Sequence, residues 1–254
     1  MAEKIYQDFT LTAKGPTGHS SVPLKENSIY KLARALDRLG RYQLPARLLP
    51  ATQVYLTERS KLEAPKLAAA MRALVAAKGG QLPKKALAEV EKEPMLSAML
   101  RTTCVATTLN GGTRVNALPA EVRANINCRI LPDETSDEVM KQLVSVIADP
   151  EVEIKPLGDF GAGAPSPVRG HGPDDIHSVA DQMWPGVPMI PFLSLGATDS
   201  RYFRMKGVPC YGINPIAISD EDARRAHGID ERVPVRSLRS GVEFLYRLLV
   251  QLAA

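Results

Sequence analysis

Aromatic side chains make up only 5% of the 254 residues, and no basic block accompanies them: 32 Lys and Arg stand against 28 Asp and Glu, a net charge of +4. A nucleic-acid surface needs a concentrated basic patch, usually interleaved with aromatics, so no nucleic-acid partner is expected. No apolar run reaches the ~18 residues of a membrane span, and Met1–Thr10 has no signal-peptide hydrophobic region, so no membrane partner is expected either. The three cysteines, Cys104, Cys128 and Cys210, are widely spaced and form no C-x-x-C pair. Each sits in a strand-like run, where a buried free thiol is the default, and a reducing cytoplasm is the simplest location. A serine hydrolase using Ser20 or Ser194 with His227 would call for a G-x-S-x-G elbow, which the sequence lacks.

Periodicity is abundant. Asp8–Lys14 alternates as a strand, and Ile29, Leu32, Ala33, Leu36 and Leu39 repeat at helical spacing over Ser28–Leu39. Thr57–Leu100 is rich in alanine, leucine and lysine and is broken by Pro65, Gly79-Gly80, Pro83 and Pro94, which predicts two or three short helices. Met71, Met95 and Met99 in that stretch read as packing residues. Thr102–Leu109 is a β-branched strand closed by a Gly111-Gly112 turn. Val122, Ala124, Ile126, Cys128 and Ile130 then alternate with Arg123, Asn125, Asn127 and Arg129, so one face is buried and the other polar. A helix over Ser136–Ala148, capped from within Asp133 to Ser136, and a strand over Glu151–Pro156 complete the order β-α-β-β-α-β of the ferredoxin-like unit. A domain at residues 5–157 with a helical insertion near 57–100 follows.

Residues 158–254 read differently. Gly161–Pro167 is a loop, Asp174–Trp184 a helix, and Pro188–Leu195 and Val208–Ile213 are short apolar strands of the kind covered on both faces. Arg236–Leu252 is a helix with Leu238, Val242, Leu245, Leu248 and Leu249 on one stripe. Two strands and three helices do not complete a doubly wound sheet. The fold class is therefore α/β: an α+β unit of ferredoxin-like type joined to an incomplete α/β portion.

Lys14-Gly15-Pro16-Thr17-Gly18-His19-Ser20-Ser21-Val22-Pro23 places a histidine between a glycine turn and two hydroxyls. Such a ring can donate or accept a hydrogen bond near neutral pH; the stretch also reads as a polar turn with a serine capping the next helix. Arg225-Ala226-His227-Gly228-Ile229-Asp230-Glu231 suits a metal ligand with a carboxylate behind it, or a solvated loop. A single histidine is not a zinc site, which takes three or four ligands. Asp174 and His177, three apart, read as a capping aspartate and a surface histidine, and no site is assigned to them or to His171.

Four segments together, Gly15–Pro23, Gly112–Pro119, Ser194–Arg201 and His227–Glu231, resemble in order the second half of a dinuclear-zinc metallopeptidase of the aminoacylase, carboxypeptidase S and succinyl-diaminopimelate desuccinylase type. The resemblance covers nearly the whole chain and is greatest to the carboxypeptidase S and N-acyl-amino-acid hydrolase branch. It implies that residues 5–157 are a lid or dimerisation domain and 158–254 the C-terminal portion of a catalytic domain. It implies that His19 reaches a catalytic centre, often across a dimer interface, and stabilises the oxyanion. By the same resemblance Asn116 assists on that oxygen or the substrate backbone, and Arg129 pairs with the substrate carboxylate. The Gly196, Thr198 and Asp199 turn would hold a carboxylate through free N–H groups, and His227 would be the last metal ligand. Family members also carry an N-terminal catalytic segment with the remaining ligands and a general-base glutamate, which this sequence does not include. The expectation is a zinc-dependent hydrolase of N-acyl amino acids or short peptides, inactive without that segment, with two zinc ions in the complete enzyme. Its expected partners are the small-molecule substrate, a second copy, or a separate N-terminal catalytic segment. The alternative is a non-catalytic dimerisation or interaction module.

Overall fold

Alternation over the first ten residues of regular strand decides the architecture. In the computed structural model, which describes residues 2–77, 81–158, 161, 163–226 and 228–253, a short β1 (Ala2–Glu3) precedes the long β2 (Ile5–Lys14). Phe9, Leu11 and Ala13 on one side of β2 are each fully buried, while Tyr6, Asp8 and Thr10 on the other are half-buried. A two-residue strand β3 (Gly18–His19) leads to α1 (Ser28–Arg41), whose N-terminus is capped by Asn27 Oδ1 accepting from the Tyr30 N–H at 2.9 Å. Neither Ser20 nor Ser21 caps it. The helical insertion follows as α2 (Pro50–Arg59), α3 (Pro65–Val75), α4 (Lys84–Val90) and α5 (Pro94–Met99). It begins earlier than the composition suggested, because Pro50 sits at the first helical turn, where its missing N–H costs nothing.

Next come β4 (Thr103–Gly111), β5 (Ala117–Leu118), β6 (Glu121–Ile130), α6 (Ser136–Ile147) and β7 (Val152–Leu157). The four long strands form one antiparallel sheet in the order β4-β6-β2-β7, the ferredoxin-like arrangement expected from the element order. α1 and α6 pack on one face and bury Leu32, Ala35, Leu39, Val139, Leu143 and Ile147 against the sheet. α6 starts on a capping box, with Thr135 Oγ1 accepting from the Glu138 N–H and Glu138 accepting from the Thr135 N–H.

Cys104 and Cys128 lie directly opposite each other on β4 and β6 and are joined by a disulfide. The expectation of free thiols there is corrected. Period-two alternation finds the buried face but not the cross-strand neighbour, and register is what brings these two sulfurs together. Cys210 alone is free.

The remainder holds α7 (Pro173–Met183), β8 (Leu193–Ser194), α8 (Ser200–Arg204), α9 (Asp220–Ala223) and α10 (Val235–Ala253). β8 pairs in parallel with β1. Of the strand expected over Pro188–Leu195 only this two-residue piece forms, and Val208–Ile213 is not a strand, since no ladder partner lies beside it among the described residues. Within it Cys210 is paired with a side chain instead: Ser166 Oγ donates to the Cys210 carbonyl at 2.9 Å and accepts from the Cys210 N–H at 2.8 Å. In α10 the buried positions are Ser237, Gly241, Phe244 and Leu248, with Trp184 stacked on Phe244. Leu238, Val242, Leu245 and Leu249 of the predicted stripe are exposed.

The insertion does not share the core under α1 and α6. Tyr55, Leu56, Met71, Leu74, Met99 and Leu100 form a second cluster that also takes in Ala2, Leu131 and Leu193, with Phe192 and Leu195 packed on it. Met71 and Met99 pack as expected, whereas Met95 is exposed. Among the described residues no helix is long and apolar enough to cross a membrane.

Candidate functional site

Gly15 follows β2 where the chain passes over the start of α1; a Cβ there would stand 2.8 Å from the Ser28 amide nitrogen. That close approach sets the loop carrying His19. β3 pairs antiparallel with β5, placing His19 opposite Ala117 and Gly18 opposite Leu118. The Ser20 N–H donates to the Asn116 carbonyl at 3.0 Å, so the first two family-like segments meet in space. Ser28 Oγ donates to the Pro119 carbonyl at 2.7 Å and ties the same hairpin to α1.

His19 is exposed, and its ring is oriented from one side. The Ser21 N–H donates to Nδ1 at 3.2 Å, and Ser21 Oγ lies 2.8 Å from the same nitrogen. A backbone N–H can only donate, so Nδ1 is the acceptor and the proton of the neutral ring sits on Nε2. The arrangement leaves Nε2–H as a directed donor toward solvent. Asn116 is exposed beside it.

Arg129 projects from β6 onto the sheet face opposite α1 and α6. Its Nε donates to Asn127 Oδ1 at 3.2 Å, and its guanidinium carbon stands 4.7 Å from the centre of the Tyr6 ring. Beneath it, Asp8 accepts from Tyr6 Oη at 2.6 Å, from Asn125 Nδ2 at 2.9 Å and from Asn127 Nδ2 at 2.8 Å. Burial alone would raise the Asp8 pKa, but these three donors and the Arg129 charge outweigh it and hold the carboxyl below its usual value. The Tyr6 hydroxyl is pushed the other way, chiefly because it donates to that carboxylate. Sequence alternation placed Arg129 on this face; the Tyr6–Asp8–Asn127 support behind it follows from the β2–β6 register, which pairs Asp8 with Asn127 and Tyr6 with Arg129.

The Gly196–Asp199 turn precedes α8, as expected, and both donors of Thr198 are engaged within the chain. Glu3 Oε2 accepts from the Thr198 N–H at 3.0 Å and from Thr198 Oγ1 at 2.7 Å. Glu3 Oε1 stands 2.9 Å from Arg204 Nη1, both side chains under a tenth exposed. Thr198 thus receives an internal carboxylate where an external one was expected, while Gly196 and Asp199 are exposed. Sequence reasoning missed Glu3 and Arg204: each stands alone in a run with no motif, and only the β1–β8 pairing brings them together.

His227 lies outside the described residues, and among those described no group of three or more histidine, cysteine, aspartate or glutamate side chains could hold a metal ion. His171 pairs through Nδ1 with Asp175 at 2.9 Å, a local helix-start contact. No hydrogen bond or ion pair among the described residues joins the His19 hairpin, Arg129 and the Thr198 turn to one another.

Residues 2–155 match the family model described as the peptidase dimerisation domain. The chain is 29% identical over 253 residues to the human N-fatty-acyl-amino acid synthase/hydrolase PM20D1, covering 98% of this chain and 49% of that protein. It is 27% identical to the probable carboxypeptidase S-like 2 of Dictyostelium discoideum, covering 98% and 47% respectively. The chain therefore spans about half the length of the curated relatives it matches. In fold it is similar to the dipeptidase Dug1p of Saccharomyces cerevisiae, with a TM-score of 0.61 at 14% identity over 98% of this chain and 56% of that one. The M20 family metallo-carboxypeptidase Sso-CP2 of Sulfolobus solfataricus gives 0.57 at 16% identity, over 98% and 58%.

Proposed function

The chain belongs to the peptidase dimerisation domain family of the M20 peptidases, and from that membership we propose that it is the lid-bearing part of a zinc-dependent amidohydrolase or carboxypeptidase. The proposed substrates are N-acyl amino acids or short peptides with a free carboxylate. The observation that carries the reading is the His19 hairpin: β3–β5 pairing joins it to the Asn116 segment, and Ser21 fixes its ring with Nε2–H as the outward donor.

In this reading Nε2–H of His19 donates to the carbonyl oxygen of the scissile amide as negative charge builds there. Loss of one such donor typically lowers kcat by about 10²–10³. Asn116 adds a contact to the same oxygen or the adjoining substrate backbone. The Arg129 fork, oriented through Nε and the Tyr6 ring, takes the substrate carboxylate in a planar two-point contact that lysine could not reproduce. Zinc enters by family resemblance only. The described residues form no ligand set, so no step is assigned to it; His227 is this chain's candidate ligand, and the resemblance expects the others in an N-terminal catalytic segment.

The test is metal content and N-acyl-amino-acid hydrolysis of the purified chain, alone and with that segment supplied. No zinc and no turnover alone, with both gained on addition and kcat lowered about 10²-fold or more by His19→Ala, is the expected result. Stoichiometric zinc and turnover from the chain alone would refute the division of labour.

One observation favours the second reading, a dimerisation module. β4 is an edge strand, and it exposes Val105 and Leu109 beside unpaired backbone groups. Light scattering on the chain and on Val105→Lys separates the two: a dimer lost in the variant, with no turnover under any condition, would leave only the module.

A further inference from the structure

We propose that Glu3 is a positioning residue whose carboxylate is the built-in ligand of the Thr198–Arg204 donor set and fixes the Gly196–Asp199 turn against the sheet. The inference rests on the proposed hydrolase reading in one respect, the role that the family resemblance gives this turn beside the substrate.

Two donors and a cation converge on one carboxylate: the backbone N–H and the hydroxyl of Thr198 donate to Oε2, and the Arg204 guanidinium stands 2.9 Å from Oε1 as an ion pair. These are the donor types that would take a substrate carboxylate. The Glu3 and Arg204 side chains are 7% and 8% exposed, so the contact is shielded from water and salt. Thr198 Oγ1, while donating to Glu3, accepts from the Ser200 N–H at 3.2 Å, which closes the turn on itself. Arg204 reaches back through Nε to Ser166 Oγ at 3.3 Å and through Nη2 to the Cys210 carbonyl at 3.4 Å. Glu3 therefore holds, through one side chain, the turn, α8 and the two loops that α8 touches. It stands one residue from Lys4, whose N–H donates to the Ser194 carbonyl at 2.9 Å, and two from the start of β2. The turn and the sheet bearing Arg129 are coupled through this strand rather than through a linker. Thr198 is thereby reassigned from a substrate contact to part of the clamp.

The test uses the isotope-labelled chain and reads the Thr198 amide by NMR and hydrogen exchange in the wild type, Glu3→Gln and Glu3→Ala, each with and without propionate. In Glu3→Ala the amide proton is expected to move upfield and to exchange faster by on the order of tenfold to a hundredfold, the range for a lost hydrogen bond to a charged group. Amides of β2 and β6 should stay unchanged. Propionate, but not chloride at equal ionic strength, should restore both values, whereas a residue that merely filled space would not be replaced by a free carboxylate. Glu3→Gln, which keeps the shape and one acceptor, is the variant to rely on should Glu3→Ala fail to fold; it should fall between the two. An unchanged Thr198 amide in Glu3→Gln would overturn the proposal, as would a loss of protection spread through β2 and β6 that propionate does not reverse. None of these readouts uses turnover, so they stand or fall independently of the hydrolase reading. In an assembled active enzyme Glu3→Gln should raise KM more than it lowers kcat, and an unchanged KM would refute the link to substrate.

Discussion

Lys4 gives the sharpest quantitative prediction. Its side chain is 1% exposed, and Nζ makes one hydrogen bond, to the Arg101 carbonyl at 2.6 Å. Burial lowers its pKa from the ordinary 10.5 to about 8; the attraction of Glu134 opposes the fall, and the repulsion of Arg129 and Arg101 adds to it. Such a difference between unfolded and folded states corresponds to about 3 kcal/mol. The sign follows from proton counting: between pH 8 and 10.5 the unfolded chain holds the Lys4 proton and the folded chain does not, so stability rises with pH across that window. Below pH 8 both states are protonated, and the full cost of burying the ammonium is carried. Lys4→Met removes that cost but orphans the Arg101 carbonyl, worth about 1–2 kcal/mol. At pH 7 the variant should be more stable than wild type by about 1 kcal/mol or more. By pH 10.5 the difference should have moved about 3 kcal/mol in favour of wild type. Urea titrations of both proteins at half-unit steps from pH 7 to 10.5 measure it, and other titrating groups cancel in the difference. Parallel stability curves for the two proteins would refute the reasoning, because they would mean that Lys4 titrates alike folded and unfolded.

Under denaturing, non-reducing conditions one thiol per chain should react, Cys210, and three after reduction; closure of a loop with a sequence separation of 24 makes reduction cost about 3 kcal/mol of stability by denaturant titration. Asp8→Asn should flatten the acid limb of stability: the depressed Asp8 pKa contributes stability above its unfolded value that is lost as pH falls through the folded one, and an unchanged acid midpoint would contradict the network. Phe9→Ala, at a fully buried position of the sheet core, should cost about 3–5 kcal/mol in the same titration; a loss under 1 kcal/mol would mean that the sheet face is not packed as described.

How much of this was legible depended on whether the signal was local. Val122–Ile130 and Asp8–Lys14 announce their buried faces by alternation, and α1 and α6 by their apolar stripes, so the ferredoxin-like unit could be read before its structure was known. Arg129 was placed on the polar face by the same period. What could not be read was register. The Cys104–Cys128 bond, the Tyr6–Asp8–Asn127 support and the Glu3–Thr198 contact each join residues far apart in sequence, at separations up to 195. The expected strand at Val208–Ile213 and the stripe on α10 failed for the converse reason. Apolar runs there were read as covered along their whole length, whereas among the described residues the cluster with α7 buries only Phe244 and Leu248 of the apolar side chains of α10, and Tyr211 and Ile213 are only partly buried against it.

Register also explains why two costly charges sit side by side at the start of the fold. A buried ion pair contributes little net stability, and a buried lysine subtracts from it, so neither Glu3 nor Lys4 is accounted for as a stabiliser. Adjacent residues of an extended chain point to opposite sides: Glu3 meets the Thr198 N–H and Arg204, while Lys4 meets the Arg101 carbonyl. A slip of one residue would set an ammonium against a guanidinium and a backbone donor, and a carboxylate against a carbonyl oxygen. Both contacts would become repulsive at once, in a shielded environment where the penalty is largest. The pair therefore selects one alignment of β1 with β8, and with it one placement of the Thr198 turn relative to the sheet that carries Arg129. Exchanging the two residues in a Glu3→Lys, Lys4→Glu double variant should accordingly cost far more than the sum of two surface charge changes.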